Sequence, residues 1–143
     1  MSQGQGVGEM TQQQLVDSLV QALESQLDAV SYYYDLTARQ VVVINDELGE
    51  VPDDFDSSSG RFLIITPLSN NERYEIMEAF IELRPDEGLQ EDLNRALIER
   101  GAFISFEKAL EKYPSQRVEW KRFWEERVRV KALAWLVERG DYA

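Results

Sequence analysis

The hydrophobic period of the chain changes twice, and those changes restrict the fold more than any other feature. Leu15, Val16, Leu19, Val20, Leu23 and Leu27 recur at helical spacing behind Thr11 and Gln14, whose separation fits a capping box. They predict an amphipathic helix running to about Asp28. From Ser31 the pattern becomes β-branched and aromatic. Ser31–Tyr34 and Gln40–Ile44 read as the strands of a hairpin, joined by a polar link over Asp35–Arg39. The link lacks an Asn-Gly pair, so a loop longer than two residues is expected. Asn45–Gly60 is an acidic loop holding Pro52 and three consecutive serines, and Phe62–Thr66 is a third strand ended by Pro67.

Helical spacing then returns. Ser69 and Glu72 form a second capping box, opening a helix with Tyr74, Met77, Phe80 and Ile81 on one face and Pro85 at its end. Asp86 caps the next helix, which carries Leu89, Leu93, Ala96 and Leu97 and is broken by Gly101. Phe103, Phe106 and Leu110 mark a short helix stopping at Pro114. Ser115 caps a long last helix to about Arg139, rich in Trp120, Phe123, Trp124 and Trp135, with Gly140 as terminator. The order predicts an α+β fold: an N-terminal helix, a small three-stranded antiparallel sheet, then four helices packed on it. No internal repeat or second domain is visible. Residues 11–143 read as a single domain behind a disordered tail over 1–10, and Met10 is an alternative natural start, so that residues 1–9 need not be native.

Composition sets the chemistry. Apolar residues are 43% and charged residues 29% of 143, which suits one packed core and argues against wholesale disorder. No secretory pattern opens the chain, and no apolar run approaches the roughly 20 residues of a membrane span, so the cytoplasm is the expected compartment. There is no cysteine and no histidine. Disulfides, thiolate or imidazole metal sites, and Ser-His-Asp or Cys-His catalysis are therefore excluded. Neither GxGxxG nor GxxxxGK[ST] occurs. The expectation is a protein that is not an enzyme and holds no cofactor or metal. Carboxylate chemistry is the residual enzymatic alternative, with Glu107 its best single candidate, although beside Lys108 it reads as an exposed helical glutamate.

Charge is unevenly placed. Residues 1–60 hold one basic and eleven acidic side chains (net −10), residues 61–114 seven and eleven (−4), and residues 115–143 seven and five (+2), within a total of −12. The last helix carries Arg117, Lys121, Arg122, Arg127, Arg129 and Lys131, a mixed face interspersed with Glu119, Glu125 and Glu126. Arg122 and Arg129, with Trp120 or Trp124 stacking on bases, would serve a nucleic-acid accessory factor; the overall negative charge and the core-like spacing of the tryptophans argue against it. In the acidic loop, Asp46, Glu47, Glu50, Asp53, Asp54 and Asp56 do not match the spacing of a calcium loop. The plain reading is a solvated, mobile loop; the specific alternative is that Asp53, Asp54 and Asp56 dock a basic protein partner. Alternation places Tyr32 and Tyr34 on one sheet face and Tyr33 on the other; helices on both faces would make all three structural, whereas an uncovered face would suit a partner or a homodimer. The favoured expectation is a protein–protein interaction or regulatory module.

Four stretches carry a resemblance: AVSYYYDL followed by VVVI, FLIITPLSNNERYEIMEAFIE, ERGAFISFEKALEKYP, and EW followed by ALAWL. From Ala29 to about Glu138 the chain resembles a bacterial family known only as uncharacterised protein family 158. The most specific stretch is Gly101-Ala102-Phe103 leading to Phe106, ahead of Tyr113-Pro114. Where that family often has a basic pair between the phenylalanines, this chain has Ile104-Ser105. The resemblance implies the fold and carries over no activity and no catalytic residue.

Overall fold

The computed structural model describes residues 11–45, 47–49 and 51–139. The expected tail over 1–10, the alternative start at Met10, Asp46 and Glu50 of the acidic loop, and Gly140 lie outside the described residues. The elements are α1 (Gln12–Glu24), β1 (Val30–Asp35), β2 (Gln40–Asn45), β3 (Phe62–Ile65), α2 (Asn70–Glu82), α3 (Glu87–Leu97), α4 (Ala102–Leu110) and α5 (Pro114–Glu138). The strands form one antiparallel sheet in the order β2-β1-β3. This is the α+β element order that the hydrophobic periods predict. The chain divides into two compact units: one ends at Pro67 and resumes at Arg129, and the other is Leu68–Val128. Helix α5 supplies residues to both.

In the first unit, α1 starts with the capping box expected from Thr11 and Gln14 and buries Leu15, Val16, Leu19, Ala22 and Leu23. It ends four residues before Asp28. Ser25 is extended (ψ 138°) and its hydroxyl accepts from the Leu27 N–H, so Leu27 leaves the apolar stripe and is 65% exposed. The β1–β2 link is four residues long, with Arg39 in the left-handed region (φ 57°). Register pairs Tyr33 with Val42 and Ile64, and Tyr34 with Val41 and Leu63. The fully buried Tyr34 meets Trp135 of α5 edge-on at 5.6 Å. The Tyr33 face is covered only in part: Phe55 of the β2–β3 loop packs edge-on against Tyr33 at 4.9 Å and lies 4.8 Å from Phe62, whereas Ile64, paired with Tyr33 on the same face, is 52% exposed.

In the second unit, Ser69 and Glu72 close the predicted capping box of α2, and Asp86 caps α3 through the Gly88 and Leu89 N–H groups. Gly101 precedes α4 at φ 70°, ψ 45°, a left-handed conformation in which a side chain is strained. Pro114 does not separate α4 from a helix capped at Ser115; it is the first residue of α5, where a missing N–H costs nothing, and the Tyr113 carbonyl accepts from Arg117 N–H. The core is an aromatic cluster. Phe106, fully buried, lies 4.7 Å from Trp120, Phe80 lies 5.3 Å from Trp120, and Phe103 lies 5.3 Å from Trp124. Each such side chain buried contributes roughly 1.5–3 kcal/mol. Arg73, 6% exposed, donates from Nε to the Leu68 carbonyl at 3.4 Å and sets its guanidinium about 6 Å from the Phe103 and Trp124 rings.

Candidate functional site

The β2–β3 loop begins where Asn45 ends its strand. Its side-chain oxygen accepts from the N–H groups of Glu47 and Leu48, and its carbonyl accepts from Gly49 N–H, which folds the start of the loop into a turn. Toward β3, Asp56 does the same with Ser58, accepting from its N–H at 3.0 Å and its hydroxyl at 2.7 Å. These bonds, the hydroxyl foremost, hold the Asp56 carboxyl below the usual carboxylate range. Asp56 therefore shapes its own turn.

Between these turns the loop is fastened to the sheet by Arg61. Its Nε and Nη2 donate to the two oxygens of Asp35 at 2.8 and 2.7 Å, a two-pronged contact that matches guanidinium to carboxylate. Nη1 reaches Asp54 at 3.0 Å. Asp35, only 3% exposed, also accepts from Thr37 and Ala38 N–H at 3.0 and 3.1 Å, so the turn after β1 and the residue before β3 converge on one carboxylate. The bond to Arg61 is the main cause that holds the Asp35 carboxyl below its ordinary value; burial opposes it and the two N–H groups add to it. The Arg61 guanidinium lies 4.8 Å from the Phe62 ring, beside Phe55.

The structure thus brings Asp54 and Tyr33 into one assembly, with Asp56 supporting the same loop. Asp53 is exposed and makes no ion pair among the described residues. Leu48 and Val51, 67% and 49% exposed, present apolar side chains from the same loop. Arg129 pairs with Asp17 of α1 at 2.7 Å, Arg127 lies 4.6 Å from the Phe123 ring, and Arg122 is exposed. Trp120 and Trp124 are buried, which removes them as stacking platforms for bases. Glu107 accepts from the Trp120 indole N–H at 3.0 Å and so completes the aromatic core. Among the described residues, no group of three or more carboxylates gathers to hold a metal ion. No described helix is long and apolar enough to cross a membrane.

Comparison with known proteins places the chain. The model of the uncharacterised protein family UPF0158 matches residues 11–141. The chain belongs to this family. UPF0158 protein PA5073 of Pseudomonas aeruginosa is 30% identical over 123 residues, which cover 85% of this chain and 79% of that protein. No solved structure matches. For this UPF0158 member, then, the function rests on the site itself. Sequence reasoning missed Asp35, Arg61 and Phe55. Asp35 and Arg61 are 26 residues apart, and the only hint was a charged residue that closes β1 and another just before β3, its paired strand.

Proposed function

We propose that this protein is a cytoplasmic, non-catalytic interaction module that docks a basic protein partner on its acidic β2–β3 loop. The observation that carries this is the Arg61 clamp, which ties Asp54 of the loop to the buried Asp35 of the sheet. A loop held from both ends loses less conformational entropy when a partner binds. It offers Leu48 and Val51 as apolar anchors beside the carboxylates of Glu47 and Asp53, the arrangement of apolar centre and polar rim that interfaces use. The net charge of −10 over residues 1–60 supplies long-range attraction for a basic surface.

The test is capture from lysate of the native host at low salt, with and without nuclease. Wild type is compared with Leu48→Ser and with a loop in which Asp53, Asp54 and Asp56 are changed to Lys. A basic protein kept by wild type in both halves and lost by both variants is the expected result. Equal retention by all three proteins overturns the role of the loop. Retention that disappears with nuclease moves the function to the exposed cations of α5. Recovery of the bait alone, as a dimer in sedimentation equilibrium, puts a second copy of the chain in the partner's place.

A further inference from the structure

Helices α3 and α4 form an antiparallel pair. At one end they are joined through the turn at Gly101; at the other the Tyr113 hydroxyl donates to Asp92 at 2.6 Å. Between them runs an open groove of about 340 Å³, within the range of small-molecule sites. The small side chains of Ala96 and Ala109 leave this space, and Arg95, Lys108 and Lys112 edge it. Three cations face two carboxylates here, Asp92 and Glu99, in a chain with 15 basic and 27 acidic residues. The local excess is the reverse of the global one.

We propose that this groove binds a small molecule through one anionic group, a phosphate or a carboxylate. The two acidic residues fix where that group sits. Asp92 is already occupied, accepting from Tyr113 and from Arg95 Nη1 at 3.2 Å, so much of its charge is spent within the wall. Glu99 stands near the turn and keeps negative charge from that end. The anionic group therefore lies toward Lys108 and Lys112, the former making no ion pair among the described residues. Arg95 adds donors from the facing helix, and the Ser105 hydroxyl can reach an uncharged part of the ligand. A few charge-assisted bonds in an open groove correspond to a dissociation constant on the order of 1 mM for a minimal probe.

The test uses the full chain labelled with ¹⁵N, titrated separately with inorganic phosphate and with citrate, against sodium chloride at matched ionic strength. Saturable shifts confined to the amides of Arg95, Ala96, Ser105, Lys108 and Lys112 are expected, and the arm that saturates names the anionic group. In the double variant Lys108→Gln, Lys112→Gln the affinity should fall about tenfold or more, with the thermal midpoint unchanged because both side chains are exposed. Shifts that follow ionic strength, spread to other basic surfaces, or survive the double substitution overturn the proposal and leave a solvated face. None of these residues belongs to the β2–β3 loop, so failure here does not touch the interaction module.

Discussion

Asp35 carries a charge that the sheet accepts only because every side of the carboxylate is answered, by Arg61 and by the Thr37 and Ala38 N–H groups. Replacing it with Ala removes all four of these hydrogen bonds, two of them from a guanidinium, and Asp35→Ala should lose about 1–3 kcal/mol in urea unfolding at neutral pH. The pH dependence follows from the sign of its shift. The folded carboxyl lies below its ordinary value, so its contribution is complete above the unfolded value of about 3.9 and is lost as pH falls through the lower folded value. Wild type should therefore lose stability below about pH 4 more steeply than Asp35→Ala. Equal slopes would show that the pair adds nothing. Gly101 makes a second prediction. A Cβ there meets no atom within 4 Å, yet φ is 70°, so Gly101→Ala should cost about 1 kcal/mol from backbone strain alone, measured as a lowered urea midpoint. Gly101 was legible in the sequence as a helix breaker. Asp35 was not, because one of 27 acidic residues shows its importance only when a partner far along the chain is brought to it.

At the scale of elements, boundaries were legible wherever a local bond sets them. Ser69 with Glu72 and Thr11 with Gln14 both close the capping boxes that their spacing implies. Ser69→Ala should therefore destabilise the fold by about 1 kcal/mol in chemical denaturation, with Ser69→Asp restoring most of it. Boundaries failed where the next element decides. Leu27 fits the stripe of α1, but the chain must turn after Ser25 to enter β1, and that need overrides a single apolar position. Pro114 looked like a stop because proline ends helices, whereas at the first position of α5 its fixed φ starts one. The clamp and the α3–α4 groove were illegible for a shared reason. Each is made between elements, and their charged residues look like ordinary solvated faces on any one of them.

For the whole molecule, core composition and uneven charge make separate claims. Phe106 sits fully buried among Phe80 and Trp120. Phe106→Ala should cost about 3–5 kcal/mol, read from thermal or urea unfolding, since the rigid rings around it cannot close the cavity. The tryptophan-rich last helix was legible as core, and the structure buries Trp120 and Trp124 accordingly. The proposed docking is the separate claim, and it calls for a loop held in shape as well as negatively charged. These two causes can be pulled apart at Arg61. Arg61→Ala removes one positive charge, so attraction alone would leave a basic partner bound as tightly or more tightly. The most direct measurement is the dissociation constant of the captured partner for wild type and Arg61→Ala at matched ionic strength, with circular dichroism showing both folded. Binding about tenfold weaker in the variant is expected, because an unheld loop must be ordered by the partner. Equal or tighter binding would contradict the held loop as the docking surface.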